Sequence, residues 1–145
     1  MNELLFSFNK TAFLSIVRGN HRGVVINAKP LYYITIIDRI GNEGNVINNK
    51  IPFSEILNNA YLSICKEYQP DIIPTPFFKP YYYSKNEQFY HLKYKQVPPQ
   101  TCPSAKFVRD NIEYAYFDNA LWDLLQDPEN RQKLREALVT HFLTR

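Results

Sequence analysis

Residues 29–40 read KPLYYITIIDRI, and large apolar or aromatic side chains fill most positions after the proline. Lys29-Pro30 is typical of a helix start, because proline lacks the backbone N–H that the first helical turn leaves unpaired anyway. A helix that is apolar nearly all round belongs in the middle of a core. We therefore predict that this segment is a buried central helix around which the chain folds.

The segments on either side predict an α+β fold that is mainly helical. Apolar residues at helical spacing predict further helices near residues 3–17, 53–64, 104–112, 118–125 and 128–142. Ser104, Asp118 and Asp127 are expected helix caps. Aromatic runs at 77–83 and 88–94 predict a β-hairpin, 114–117 a third short strand, and 19–23 a loop. The result is one domain, residues 1–145, with about six helices around the central one and a small antiparallel sheet.

Composition excludes several classes of protein. The chain has 145 residues, 45% of them hydrophobic and 15% aromatic, so it can bury enough apolar surface to avoid disorder. It contains no apolar run of the roughly 20 residues that span a bilayer. Its first residues lack a basic segment and a cleavage site, so we expect no secretory signal and a cytoplasmic location. Cys65 and Cys102 are then expected to be reduced, buried thiols.

Motifs that indicate catalysis are absent from the sequence. His21, His91 and His141 are far apart and form no HxxxH or HExxH pair. The chain has no glycine-rich phosphate loop and no serine in a nucleophile elbow. We therefore predict that the protein is not an enzyme and holds neither a metal ion nor a cofactor.

Charge is distributed in blocks along the chain. The net charge is +3, made up of +3 over residues 1–37, −2 over 38–78, +5 over 79–109 and −3 over 110–145. If the fold joined the two basic blocks, one positive face could bind a polyanion. Ordinary scatter of charge over a solvated surface is the alternative interpretation.

The first basic block contains a segment of twelve residues, 18–29, without any acid. Lys29 lies at a helix start, where free backbone N–H groups favour an anion. Such residues can bind successive phosphates of a nucleic acid, although a solvated loop is equally simple. We call these four candidates the first basic cluster: Arg18, His21, Arg22 and Lys29.

The second basic block is interleaved with aromatic residues. Aromatic rings next to cations can stack on bases and bind phosphates, but tyrosines are also common on half-buried strands. Phe77, Phe89 and Leu92 are assigned to the core. His91 is interpreted as a hydrogen-bonded structural histidine. The cations that would extend a positive surface form the second basic cluster: Lys93, Lys95 and Arg109.

Three parts of the chain form a further pattern: AKPLYYI at residues 28–34 with DRI at 38–40, PFF at 76–78 with QFYHL at 88–92, and residues 104–143. Together they resemble the N-terminal DNA-recognition domain of bacterial HNH restriction endonucleases, a family that includes the sulphur-binding domains that read phosphorothioate DNA. The resemblance implies a restriction or defence module that binds double-stranded DNA, plain or phosphorothioated, through the first basic cluster. The second basic cluster would extend this positive surface. The nuclease domain of that family has no counterpart in this chain.

Three hypotheses therefore remain open. In the first, the protein is a DNA-binding module that contacts the phosphate backbone. In the second, it is a protein-interaction or assembly module, with a second copy or a nuclease as its partner. In the third, it is part of a nuclease whose metal site lies on another segment. Ala28, where the family has histidine, favours the second, as do the modest net charge and the tyrosine-rich segment.

Overall fold

A computed structural model describes residues 3–16, 18–21, 24–40, 46–96 and 103–143. For residues 19–21, 24 and 25 it describes the backbone and not the side chains. The fold is α+β and mainly helical, as predicted. The helices and strands are, in chain order, α1 (Glu3–Leu14), β1 (Gly19–His21), β2 (Val24–Ile26), α2 (Ala28–Arg39), α3 (Glu55–Tyr68), α4 (Phe78–Tyr83), β3 (Tyr90–Tyr94), α5 (Ala105–Asn111), β4 (Ile112–Phe117), α6 (Asn119–Leu124) and α7 (Pro128–Leu138). A 3-10 turn, Ser84–Asn86, follows α4, and a π-helical turn, Val139–Leu143, follows α7.

Helix α2 is the buried central helix that the sequence predicts. Every residue from 30 to 37 is buried, including both tyrosines and all three isoleucines of that segment. The helix contacts α3, α4 and α7. Thr35 is buried as well, and its hydroxyl donates to the Leu31 carbonyl at 2.8 Å, so its polar group is satisfied within the helix.

Side-chain caps begin three of the helices. The Ser104 hydroxyl accepts from the Phe107 amide at 3.0 Å, and the Asp127 carboxylate accepts from the Glu129 amide at 2.9 Å. Both caps are predicted from the sequence and are confirmed, whereas the prediction for Asp118 is wrong, because its side chain forms no capping hydrogen bond to α6. Ser54 caps α3 in the same way, through the Leu57 amide at 3.2 Å. Each cap pairs an amide that the first helical turn leaves without a partner.

The hairpin predicted between residues 77–83 and 88–94 is wrong in its first half. Residues 78–83 form helix α4, and β3 pairs with β4 in antiparallel register instead. Phe77 and Tyr81, four residues apart, are both buried, which is helical spacing. Pro80 fits because it lies in the first turn of α4, where its missing N–H costs no hydrogen bond. The predicted strand at 114–117 is confirmed as part of β4.

The loop predicted at residues 19–23 is also wrong in part. Gly19 pairs with Ile26 and His21 with Val24, so β1 and β2 form a small hairpin. The β-branched residues of β2 explain the difference, because such side chains favour extended backbone. Arg22 and Gly23, between the strands, lie outside the described residues.

The two strands of the β3–β4 sheet have an inner and an outer face. Tyr90, Ala115 and Phe117 are buried on the inner face. Ile51 adds an antiparallel bridge to Ala115 on the free side of β4, with N–H to O distances of 2.7 and 2.9 Å. Apart from Ala28, the buried hydrophobic residues of the described chain form one core cluster. None of the described helices is long and apolar enough to cross a membrane.

Cys65 is buried in α3, as predicted, and burial raises the pKa of its thiol. Cys102 lies outside the described residues, so the second half of that prediction stays untested. Gly41 and Gly44, which predict a turn after α2, and Pro98 and Pro99, which are expected to end the aromatic runs, also lie outside them.

Candidate nucleic-acid interface

Lys29 of the first basic cluster is engaged in an ion pair. It lies in the first turn of α2, and its Nζ is 2.5 Å from Glu87 Oε2, just before β3. The two side chains are only 13% and 9% exposed. The ammonium charge is therefore balanced and largely shielded from solvent, which is a different setting from the open phosphate contact that the sequence suggests.

Arg18 is half-buried and held by two contacts. Its guanidinium donates to Asn27 Oδ1 at 2.7 Å and lies over the Phe142 ring at 4.6 Å from the centroid. Asn27 Nδ2 in turn donates to the Phe142 carbonyl at 3.4 Å. Arg18 thus joins the start of α2 to the π-helical turn. The side chain of His21 and the whole of Arg22 are outside the described residues.

The second basic cluster lies at the far end of β3 and on α5. Lys93, Lys95 and Arg109 are all exposed. Lys95 joins the two elements, because its amide donates to the Asn111 carbonyl at 2.8 Å and its Nζ to the Arg109 carbonyl at 3.1 Å. The structure therefore brings Lys95 and Arg109 together, and Lys93, on β3, lies two residues before Lys95.

The outer face of the β3–β4 sheet continues this cluster with aromatic rings. We call His91, Tyr114 and Tyr116 the ring face. The centroids of the His91 and Tyr116 rings are 5.1 Å apart, and the ring planes are tilted by 38°. The centroids of the Tyr114 and Tyr116 rings are 5.9 Å apart, and these rings meet edge to face. The strand register sets His91 opposite Tyr116 and Lys93 opposite Tyr114. Lys50 Nζ lies 5.4 Å from the Tyr114 ring centroid.

Acidic groups also border this surface. Asp118 Oδ1 is 2.5 Å from His91 Nε2, which confirms the prediction of a hydrogen-bonded histidine. Asp110 pairs with Lys106 at 2.6 Å, and this hydrogen bond lowers the pKa of the Asp110 carboxyl. Glu113 is exposed at the irregularity in the β3–β4 register. The surface is therefore mixed in charge, with an excess of cations around the end of β3.

Lys29 and the second basic cluster lie toward opposite ends of β3. Lys29 contacts Glu87, three residues before the strand begins, whereas Lys95 directly follows its last residue. The five residues of β3 extend over about 17 Å at the usual rise of about 3.3 Å per residue. Lys29 and the second basic cluster are therefore separate binding candidates and do not form one contiguous patch.

Sequence reasoning missed three members of this surface. Tyr114 and Tyr116 alternate with Ala115 and Phe117, and that alternation was available as a signal of one outward and one inward face. Lys50 had no such signal, because it reaches Tyr114 only through the bridge between Ile51 and β4.

Within the described ranges, no group of three His, Cys, Asp or Glu side chains is placed to hold a metal ion. No protein-family model matches the chain, and a search of curated proteins gives no significant match. The function of the protein is therefore inferred from its own residues.

Proposed function

We propose that the protein is a DNA-binding module of a restriction or defence system that contacts the phosphate backbone through the second basic cluster. The observation that carries the proposal is the joint placement of Lys93, Lys95 and Arg109 beside the ring face. No described carboxylate forms an ion pair with any of the three. They are therefore available to phosphates, in contrast to Lys29.

The ring face adds contacts that phosphates alone do not provide. Lysine and arginine neutralise phosphates and release bound counterions, which gives affinity without sequence preference. Flat tyrosine rings can pack on a sugar or stack on an exposed base. Tyr114 lies between Lys50 and Lys93, so a strand crossing it would meet a cation on each side.

The first basic cluster has a secondary role in this proposal. Lys29 would have to exchange the Glu87 carboxylate for a phosphate, and Arg18 would have to leave Asn27. Arg18, His21 and Arg22 stay predicted DNA contacts that come from the sequence. The proposal assigns no catalytic step to the chain, so cleavage would require a nuclease partner.

The test is fluorescence anisotropy with one labelled duplex, prepared plain and phosphorothioated, at several salt concentrations. The triple variant Lys93→Gln, Lys95→Gln, Arg109→Gln is compared with Lys10→Gln, Lys66→Gln, Lys133→Gln, which removes the same charge from exposed lysines on α1, α3 and α7. We expect the first triple variant to bind much more weakly. Its log–log salt slope should fall by about 2 to 3, at about 0.9 per lost phosphate contact.

Equal weakening in both triple variants would show that only overall charge matters and would contradict the proposed surface. Absence of binding to either duplex at low salt would refute DNA binding altogether. Preference for the phosphorothioated duplex would support the narrower expectation from the family resemblance, in which the module reads modified DNA. Equal binding would leave a general DNA-binding module.

A second candidate function is a protein-interaction module, favoured by one feature of α1. Leu4 and Phe8, one helical turn apart, are 81% and 66% exposed. Paired exposed apolar side chains of this kind are typical of protein contacts. Light scattering that gives a dimer, lost in Leu4→Ser/Phe8→Ser, together with no DNA binding, would favour this function over the first.

A further inference from the structure

An apolar cavity of about 590 Å³ lies beside the start of α2. Leu31 of α2 and Tyr61 and Cys65 of α3 line its buried side, and the loop of residues 69–76 lines the other. Clefts of roughly 300 to 1,000 Å³ with mainly apolar walls are the usual size for small-molecule sites. The cavity is therefore large enough to accept a ligand.

The loop that forms its outer wall is held in place. Tyr61 Oη donates to the Thr75 carbonyl at 2.7 Å, and the Ile72 amide donates to the Gln69 carbonyl at 3.1 Å. Prolines at 70, 74 and 76 restrict the backbone further. This leaves Ile72 51% exposed and Ile73 91% exposed at the mouth of the cavity. Contact with an apolar ligand would bury the side chains of these two neighbouring isoleucines, and the removal of their apolar surface from water would favour binding.

The charge of the lining selects the kind of ligand. Among the described residues around the cavity, Lys79 carries a charge and none is acidic. Lys79 is exposed in the first turn of α4, and it has no ion pair with a described carboxylate. An apolar wall with one cation at its edge complements a hydrocarbon group that ends in one anion.

We propose that this cavity binds a small amphipathic anion, a medium-chain carboxylate, with its chain against Leu31, Tyr61 and Ile73 and its carboxylate at Lys79. This site uses other residues than the DNA surface proposed above, and it does not depend on DNA binding. The probe is octanoate, and 1-octanol serves as the uncharged control with the same chain length.

The experiment is calorimetric titration of the whole chain with octanoate, joined to amide chemical-shift mapping. We expect saturable binding, with shifts at Leu31, Cys65 and Lys79. Lys79→Gln should raise the dissociation constant about fivefold, because that is roughly the effect of losing one partly exposed ion pair. Ile73→Ser should weaken it by a similar factor through lost apolar contact. Lys66→Gln and Ile47→Ser, which alter an exposed lysine and an 83% exposed isoleucine outside the lining, should leave it unchanged.

Three results would overturn the proposal. The first is no saturable binding at millimolar octanoate, and the second is a set of shifts that maps away from the cavity. The third is octanol binding as tightly as octanoate with no effect of Lys79→Gln, since this would remove the anion from the assignment. Because both substitutions change exposed side chains, unfolding is not expected to obscure the outcome.

Discussion

At the scale of single residues, the ion pair between Lys29 and Glu87 limits what Lys29 can do. Both side chains are largely buried, and the partners are 58 positions apart in the chain. A charge that is mostly removed from water requires its counter-charge, because desolvation alone is unfavourable. We therefore interpret Lys29 first as a residue that fixes the start of α2 against the segment leading into β3.

Lys29→Gln is expected to lower the free energy of unfolding by about 2 kcal/mol, because the Glu87 carboxylate would stay mostly buried without its ammonium partner. Urea unfolding followed by circular dichroism measures the change. In the double variant Lys29→Gln/Glu87→Gln, part of the stability should return, since no unbalanced charge is left. Full stability in the single variant, together with lost DNA binding, would contradict this interpretation and make Lys29 a direct phosphate contact.

At the scale of elements, strand β4 depends on partners on both of its edges. β3 pairs along one edge. On the other, Ile51 bridges Ala115, and the Asn49 side chain both donates to the Phe117 carbonyl at 2.7 Å and accepts from its amide at 2.9 Å. One amide side chain thus takes the place of a strand residue. Because Lys50 lies between Asn49 and Ile51, these contacts also place it beside the Tyr114 ring, and they therefore help to form the proposed DNA surface.

Asn49→Ala should therefore destabilise the protein by about 2 kcal/mol, because both backbone groups of Phe117 would lose a partner in a largely buried place. Amide exchange at Phe117 should become faster in the same variant. The control is Asn59→Ala, which alters an exposed asparagine of α3. If the Phe117 amide exchanges at an unchanged rate, the Asn49 contact does not protect this edge of β4.

At the scale of the whole molecule, buried tyrosines join the elements through their hydroxyl groups. The Tyr32 and Tyr90 hydroxyls are 2.7 Å apart, and Tyr90 donates onward to the Tyr81 carbonyl, also at 2.7 Å. Tyr81 donates to the Ile51 carbonyl at 2.6 Å. Burial raises the pKa of each of the five buried tyrosines of the described chain above the ordinary value: Tyr32, Tyr33, Tyr61, Tyr81 and Tyr90.

The raised pKa values of the buried tyrosines predict that the stability of the protein falls steeply with pH in alkaline solution. The folded state keeps these phenols protonated, whereas the unfolded chain loses their protons above about pH 10, so stability is complete below that pH and falls as pH rises. Above about pH 10, each of these tyrosines lowers the free energy of unfolding by about 1.4 kcal/mol per pH unit. The rise in phenolate absorbance should coincide with the loss of circular dichroism, and Tyr61→Phe should make the fall less steep. Ionisation of these tyrosines with an unchanged dichroism spectrum would contradict the prediction.

A second whole-molecule contact is the fork of Arg135 on α7. Its Nε and Nη2 donate to the two oxygens of Asp38 on α2 at 2.7 and 3.0 Å, and Nη1 donates to the Tyr68 hydroxyl on α3 at 2.9 Å. These hydrogen bonds raise the pKa of Arg135. One side chain thereby links three helices.

Arg135→Lys is expected to lower stability by about 1 kcal/mol although the charge is kept, because an ammonium cannot form the paired hydrogen bonds of a guanidinium. The partial exposure of both side chains keeps the effect small. Thermal unfolding gives the measurement, and Lys133→Arg, a change of the same type on an exposed part of α7, is the control. A melting temperature equal to that of the unchanged protein would show that the fork adds nothing beyond charge.

The sequence by itself determined the features that depend on neighbours within one or two turns. The all-round apolar pattern of residues 31–40 identified α2 as central, and Ser104 and Asp127 marked the starts of α5 and α7. It also identified Lys93, Lys95 and Arg109 as candidate cations. A cap or a helical stripe acts over three or four residues, so its signal lies within a short stretch of sequence.

Only the tertiary structure decided which distant residues meet. It paired β3 with β4 and turned residues 78–83 into a helix, because rings such as Phe77 and Tyr81 could then pack against Tyr32 of α2. It balanced Lys29 with Glu87 and set Lys50 over Tyr114. Aromatic side chains favour strands locally, but at residues 78–83 burial against the rest of the chain, which no local pattern contains, overrides that preference.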